Sequence, residues 1–274
     1  MSDTPIDPSA IRRGDTLELK IESAAFEGRS MEHVGDFVVF VEGAVPGDRV
    51  NAFVFRKKKQ FAEARTEEIL ERSEHRVDPA CRHFGTCGGC KWQHMSYEQQ
   101  LYWKRRHVLD AFERIGGFED LKVNDTLGAI EPFWYRNKME YSFGEMRWLM
   151  PDEMGVIDRD AELFALGLHV PKRYDRILHI DDCRLESHES NLILNATREF
   201  FVERNVPAYS TRTHTGDLRH LVIREGKHTG ERMVFLVSTH RNEEMMREYA
   251  ALLQREEFGV TTFVHGITDR KSTV

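Results

Sequence analysis

Hydrophobic and polar positions alternate in short runs over the first part of the chain. Thr16–Ile21 alternates strictly, Phe37–Val41 is an unbroken apolar run, and two further strand-like runs follow before residue 71. Strict alternation predicts half-buried strands, and the unbroken run predicts a strand buried on both faces. Short strands joined by turns, one of them a Pro–Gly turn at 44–48, predict a small β-barrel of the oligonucleotide-binding type over 11–75.

Helical periodicity begins after this barrel. Ser96 and Gln99 have the spacing of a capping box, and apolar positions recur at helical spacing until Gly116–Gly117. The residues 76–118 are therefore predicted to form a cysteine-rich loop followed by a helix. The residues 1–10, which are polar and contain two prolines, are predicted to be a mobile N-terminus.

The second half of the chain mixes strand and helix patterns. Alternation at 135–143 would place Arg136 and Lys138 on one strand face, opposite the apolar positions. Helical patterns predict two helices at 187–204 and 243–255, the second with Met246, Tyr249 and Leu253 along one apolar stripe. A hairpin is predicted at 219–238 and a last strand at 260–267. The predicted fold class is α+β, with a mainly antiparallel sheet in a central domain over 119–274.

Composition and charge exclude several classes of protein. The chain has 274 residues, a net charge of −7 and four cysteines, with no apolar run long enough to span a membrane and no signal-peptide pattern at its start. These features predict a cytoplasmic monomer without a membrane partner. Because the net charge is negative, any surface that binds nucleic acid must be a local basic patch.

One such patch lies in the predicted barrel. The positions 55–65 carry five basic residues and one acidic residue, which gives a local charge of +4, and aromatic residues lie among them. Cations interleaved with aromatic rings suit the neutralisation of phosphates and the stacking of bases, although a solvated basic turn is the alternative. The candidate RNA-binding residues are Arg56, Lys57, Lys58, Lys59 and Phe61, together with Arg136 and Lys138.

Three of the four cysteines are clustered in sequence. Cys81, Cys87 and Cys90 form C-x5-C-x2-C in a glycine-containing loop, and Cys183 follows 93 positions later. Clustered thiolates suit zinc or an iron–sulfur cluster. The single C-x2-C pair favours a cluster modestly over zinc, which would take Cys183, or alternatively His83 or His94, as its fourth ligand.

Four motifs resemble those of the RNA (uracil-C5-)-methyltransferases. The cysteine loop reads Pro-x-Cys-x-His-Phe-Gly-x-Cys-Gly-Gly-Cys-x-Trp-Gln-His from residue 79, and the segment 43–50 reads Gly-Ala-Val-Pro-Gly-Asp-Arg-Val, as in the family's RNA-binding TRAM barrel. The segment 135–143 resembles the start of the family's central domain, and 179–183, His-Ile-Asp-Asp-Cys, resembles the segment with its fourth cluster ligand. The motifs occur in the family's order and extend over most of the chain.

The resemblance implies a structural [4Fe–4S] cluster on Cys81, Cys87, Cys90 and Cys183. In this family the S-adenosylmethionine-binding catalytic domain follows the central domain, and no glycine-rich nucleotide-binding turn occurs after Cys183. We therefore expect this chain to correspond to the N-terminal part of such an enzyme, with S-adenosylmethionine bound only in the C-terminal domain that it lacks. Catalytic and cofactor-binding residues are accordingly not expected within it.

Three function classes remain open at this point. The favoured one is the RNA-recognition part of a methyltransferase, with ribosomal RNA preferred to transfer RNA as the partner because the TRAM-like and cysteine motifs occur together. The second is a stand-alone iron–sulfur RNA-binding protein without enzymatic activity. The third, an electron-transfer protein, is the weakest because no redox partner is evident in the sequence.

Overall fold

A computed structural model describes residues 7–157 and 164–268, so most of the predicted mobile segment, residues 1–6, lies outside the described residues. The chain divides into two compact units. Unit 1 comprises Met1–Gly85 and Cys90–Ile130, and unit 2 comprises Thr86–Gly89 and Glu131–Val274. None of the helices in the described ranges is long and apolar enough to cross a membrane.

Unit 1 is built on a six-stranded sheet with the order β1-β5-β6-β4-β3-β2. Its strands are antiparallel except for β4 and β6, which run parallel. The strand bounds are β1 Thr16–Lys20, β2 Ser23–Ala24, β3 Ser30–Val34, β4 Phe37–Glu42, β5 Arg49–Lys57 and β6 Phe61–Glu71. Each run that was predicted to be a strand is one.

The strand β4 differs from its prediction. Phe37, Val39 and Val41 are buried, but the intervening Val38 and Phe40 are only half-buried. The sheet has its apolar core on one face, and successive side chains of a strand point to opposite faces. The apolar run is unbroken because the other, half-exposed face of β4 also carries apolar side chains. On that face the ring of Phe40 packs edge to face against the ring of Phe61 at 5.8 Å.

The Pro–Gly turn after β4 carries a buried ion pair. Gly47 has a φ of 93°, and a Cβ atom at this position would lie 2.7 Å from the hydroxyl oxygen of Ser73. Asp48 is fully buried and accepts a hydrogen bond from Arg76 at 2.6 Å. Burial alone would raise the pKa of Asp48, but hydrogen bonds from Arg76 and from two backbone amides outweigh burial and lower that pKa.

The helix α1, Tyr97–Asp110, begins where the sequence predicts it but is stabilised differently. Ser96 is the N-cap residue, yet its side chain makes no capping hydrogen bond, so the capping-box prediction is wrong. Instead, the side-chain amide of Gln100 donates to the carbonyls of Trp92 and Met95 at 3.0 and 2.9 Å. A π-helical segment, Ala111–Ile115, extends the helix, and no residue of α1 itself is buried.

Unit 2 is an α+β arrangement, as predicted. Its seven-stranded sheet has the order β13-β12-β11-β7-β9-β10-β8 and is antiparallel except for the pairs β12–β13 and β8–β10. The bounds are β7 Lys138–Gly144, β8 Arg147–Trp148, β9 Ala165–Val170, β10 Arg173–His179, β11 Leu218–Gly226, β12 Glu231–Ser238 and β13 Thr262–Ile267, with α2 at His188–Glu203 and α3 at Glu243–Leu253.

An aromatic cluster packs the two helices against this sheet. Tyr249 of α3 lies 5.2 Å from the rings of both Phe200 and Phe201 of α2 and 5.3 Å from Phe263 of β13. Its hydroxyl forms a 2.6 Å hydrogen bond with that of Thr197. Tyr249 is fully buried, which confirms the apolar stripe predicted for α3.

Candidate functional site

The basic run in unit 1 forms the connection between β5 and β6. Lys58 and Lys59 are exposed in this turn, which the Lys58 amide closes with a 2.8 Å hydrogen bond to the Phe61 carbonyl. The ring of Phe61 is half-buried against Phe40. The turn therefore presents two ammonium groups to solvent beside an aromatic pair that is only partly covered.

Lys57 is oriented differently from the two lysines that follow it. Its ammonium group donates to the carbonyls of Pro8 and Ile11 at 3.1 and 2.7 Å and lies 5.2 Å from the centre of the Phe37 ring. These contacts fasten the segment before β1 to the sheet. Lys57 thus has a structural role in addition to its charge.

Arg56 shares a carboxylate with a second arginine. Glu63 is buried and accepts hydrogen bonds from Arg56 at 3.0 Å and from Arg29 at 2.9 Å. Burial raises the pKa of Glu63, but the two guanidinium groups outweigh that effect and keep its pKa below the ordinary value. The carboxylate holds both arginines at the surface and offsets part of their charge.

The second candidate pair lies in unit 2. Arg136 precedes β7 by two residues, so it is not on the strand face predicted for it, and its guanidinium contacts the sulfur of Met139 at 3.4 Å. Lys138 forms a 2.9 Å ion pair with Glu140, which offsets its charge. This hydrogen bond lowers the pKa of Glu140.

The cysteine loop has features that suit thiolate ligands. The Gly89 amide donates to the Cys87 sulfur at 3.4 Å, a contact of the kind that stabilises sulfur ligands of metals and clusters. A Cβ atom at Gly88 would lie 2.8 Å from the ring of Pro171, so this position requires glycine unless the proline shifts. The Cys81 amide is held by the side chain of Gln93 at 3.1 Å.

Asn191 of α2 fixes the backbone of Cys183. Its side-chain oxygen accepts from the Cys183 amide at 2.7 Å, and its side-chain nitrogen donates to the Cys183 carbonyl at 3.1 Å. Both residues are buried. The same nitrogen lies 3.1 Å from the carbonyl of Ser187, the N-cap residue of α2, so the cysteine is attached to the first turn of the helix.

A buried acid and a buried phenol lie near two of the cysteines. The hydroxyl of Tyr141 donates to Glu186, and burial raises the pKa of that glutamate to about 8. Burial and the negative charges of Glu186, Cys183 and Cys87 raise the pKa of Tyr141 well above its ordinary value. The sulfur atoms of Cys87 and Cys183, which both belong to unit 2, are thus close enough to Tyr141 to influence its ionisation.

The donor types fit a soft metal centre, but an assembled one is not seen. In the ranges 7–157 and 164–268, no three side chains of the types His, Cys, Asp or Glu come together as a metal-binding group. Two of the cysteines, Cys81 and Cys90, belong to unit 1, and the other two belong to unit 2. The amide donor at Cys87 and the fixed backbone of Cys183 are the observations that suit sulfur ligation.

Tyr141, Glu186 and Asn191 are neighbours of the cysteines that the sequence did not identify. Asn191 carried a usable signal, because an asparagine inside a predicted helix is unfavourable unless its side chain bonds the backbone. Tyr141 and Glu186 carried no such signal, since they are separated by 45 residues and meet only through the fold.

Comparison with known proteins identifies one domain family and several similar proteins. Residues 11–66 match the family described as the TRAM domain. The chain is 39% identical to a protein of Chlorobaculum tepidum named an uncharacterized RNA methyltransferase, over 99% of this chain and 57% of that protein. It is 38% identical to a protein of Bacteroides thetaiotaomicron with the same description, over 84% of this chain and 50% of that protein.

One solved structure has a similar fold. It is the crystal structure of the Pyrococcus abyssi tRNA (uracil-54, C5)-methyltransferase in complex with S-adenosyl-L-homocysteine. The TM-score is 0.59 at 23% identity, and the match covers 94% of this chain and 52% of that chain. The chain thus spans about half the length of the curated relatives and of the solved structure that it matches.

Proposed function

We propose that this chain is the RNA-recognition and iron–sulfur portion of an S-adenosylmethionine-dependent RNA uracil-C5 methyltransferase. The observation that carries the proposal is the TRAM match at residues 11–66, within a chain that aligns over 99% of its length with a protein named an RNA methyltransferase. The reaction class comes from the resemblance of four sequence motifs to those of the RNA (uracil-C5-)-methyltransferases, and a solved uracil-C5 methyltransferase has a similar fold. The cytoplasmic location predicted from the sequence is part of this proposal.

RNA contact is assigned first to the turn between β5 and β6. Lys58 and Lys59 are exposed and can pair with phosphates, while Arg56 is partly neutralised by Glu63. Lys57 is engaged with backbone carbonyls and contributes less to RNA binding than its position in the run indicated. Phe61 and Phe40 offer a partly covered aromatic surface for a base.

The experiment measures how RNA binding depends on salt. On single strands the slope of log K against log salt changes by about 0.7 for each phosphate contact, so Lys58→Ala with Lys59→Ala should reduce it by about 1.4. The matched control replaces the exposed lysines Lys20 and Lys122 with alanine. An unchanged slope and affinity in the turn variant would mean that this turn is merely solvated.

Ribosomal RNA is retained as the proposed partner. The support is the joint occurrence of the TRAM-like barrel sequence and the cysteine loop, and the competing partner is transfer RNA, for which the solved relative is named. At 23% identity that relative shows the fold alone. Binding competition between a ribosomal RNA fragment and a transfer RNA of equal length separates the two.

A [4Fe–4S] cluster on Cys81, Cys87, Cys90 and Cys183 is also proposed. When bound, such a cluster would supply a structural connection and no group that takes part in methyl transfer. The chain's own contribution is to hold the four sulfur atoms: the Gly89 amide donates to one, and Asn191 fixes the backbone of another. With all four cysteines engaged in this way, the nucleophile that uracil-C5 methylation needs is not assigned to this chain.

A further inference from the structure

Unit 1 contains a cavity that the proposed RNA contacts do not include. Its volume is about 360 Å³, and it lies between the end of β6 and the cysteine loop. Its lining includes Ile69, Arg72, Arg76, Val77, Phe84 and His94. Ligand pockets begin at roughly 300 Å³, so the volume suits one small ligand of about nucleotide size.

The cavity has an aromatic and aliphatic wall. The rings of Phe84 and His94 lie 5.0 Å apart at an angle of 38°. Ile69 and Val77 are 37% and 39% exposed, which is high for aliphatic residues that line a concave surface. A wall of this composition favours a flat, partly apolar ligand.

His94 is part of this wall, and one of its two ring nitrogens has no hydrogen-bond partner within the described residues. Its Nε2 lies 3.1 Å from the carbonyl oxygen of Ala44, which can only accept, so Nε2 carries a proton. Burial lowers the pKa of His94, and the neutral ring therefore has an acceptor at Nδ1. That nitrogen is buried and unpaired among the described residues, whereas most buried polar atoms have a partner.

The two arginines of the cavity differ in how firmly they are held. Arg76 is fixed by Asp48 and by the Gly43 carbonyl, with distances of 2.6 and 2.8 Å, and is part of the wall. Arg72 pairs at 2.8 Å with Asp78, and their side chains are 58% and 88% exposed. An ion pair this exposed contributes little to stability, so the Arg72 guanidinium can exchange its partner for a phosphate at little cost.

We propose that this cavity binds one unpaired nucleotide of the RNA, with the base against the wall that Phe84 and His94 form. The phosphate of that nucleotide pairs with Arg72. The inference rests on the proposed RNA-binding function and adds a second contact, separate from the turn between β5 and β6. It assigns a contact with a base to Phe84, which lies in the loop that the sequence predicts to bind a metal or cluster.

The first test uses methyl NMR on the full chain with labelled isoleucine and valine. Uridine 5′-monophosphate should shift the Ile69 and Val77 methyl signals, because both line the cavity. Ribose 5-phosphate and inorganic phosphate should leave them unchanged. Equal shifts with ribose 5-phosphate or phosphate would overturn the assignment of a base to the cavity.

The second test measures binding of labelled single-stranded RNA by anisotropy. Phe84→Leu keeps apolar volume but removes the stacking face, and Arg72→Gln removes the phosphate contact without touching the cysteine loop. Each should weaken binding by about tenfold, as expected for loss of one stacked base or one charged contact. The matched controls Phe118→Leu and Arg114→Gln replace residues that are exposed and outside the cavity.

The outcomes separate this inference from the proposed function. If both cavity variants bind RNA like the wild type and uridine 5′-monophosphate shifts neither methyl group, the cavity is not a nucleotide site. Salt-dependent RNA binding by the wild type would then still support the proposed function. If the wild type binds no RNA, both proposals fail.

Discussion

Neutralising Glu225 should destabilise unit 2 by an amount that depends on pH. This glutamate is the penultimate residue of β11 and is nearly buried, with a side chain that is 6% exposed. It accepts hydrogen bonds from Ser187, from Ser190 at 2.5 Å and from Arg232 at 3.1 Å, and it pairs with Lys227. The sheet is thereby joined to the first turn of α2.

The magnitude follows from the pKa of this carboxyl group. Burial alone would raise the pKa of Glu225, but the hydrogen bonds from Lys227, Ser187, Ser190 and Arg232 lower it from 4.5 to about 2. A pKa difference of this size between the unfolded and folded states contributes about 3 kcal/mol to the free energy of unfolding at pH 7. Because the folded pKa is the lower one, this stability is present above pH 4.5 and is lost as pH falls towards 2, with about 2 kcal/mol remaining at pH 3.5.

Urea unfolding of Glu225→Gln, followed by circular dichroism at several pH values, measures this effect. We expect a loss of about 3 kcal/mol at pH 7 that shrinks as the pH is lowered. The control Glu257→Gln removes a carboxylate that is 57% exposed and 3.9 Å from Arg255, and it should change stability little. A deficit below about 1 kcal/mol at pH 7, or one that is independent of pH, would refute the reasoning.

Two further predictions concern the cysteines. Protein purified without oxygen should be brown and hold iron and sulfide at about four each per chain, whereas colourless protein with one zinc ion would contradict the cluster. Asn191→Ala should lower the iron content per chain because it releases the backbone of Cys183. Asn51→Ala, which removes a hydrogen bond to the exposed Glu68, should not. Equal iron in both variants would show that this contact does not position the ligand.

Local pattern was sufficient for most of the secondary structure. The alternation around Leu17 and Leu19 and the stripe through Met246, Tyr249 and Leu253 reflect one buried face each, and the structure buries these residues. Helix α2 lies at the predicted place because Ser187 caps it, accepting from the Ser190 amide at 3.1 Å. In each case the signal and the structure depend on neighbours in sequence.

The remaining features depend on residues that are distant in sequence. Lys57 belongs to a basic run, yet its carbonyl partners lie 46 and 49 positions earlier, so no local pattern could show that it is engaged. The buried pair of Asp48 and Arg76 spans 28 positions. For α1 the apolar spacing predicts the helix correctly but does not predict its burial. Val108, one of the apolar positions, is 44% exposed.

The number of cysteines connects the cluster to catalysis. Methylation of uracil at C5 requires a thiolate that adds to C6, after which C5 is nucleophilic and a base later removes its proton. The chain has four cysteines, and a [4Fe–4S] cluster would use all of them. We therefore expect the 274-residue chain to bind RNA without transferring a radiolabelled methyl group from S-adenosylmethionine to uridine. Methyl transfer by a chain that holds a full complement of iron would contradict the cluster assignment. Replacing each cysteine with serine in turn would then identify the nucleophile: it is the cysteine whose replacement abolishes methyl transfer while the iron is retained.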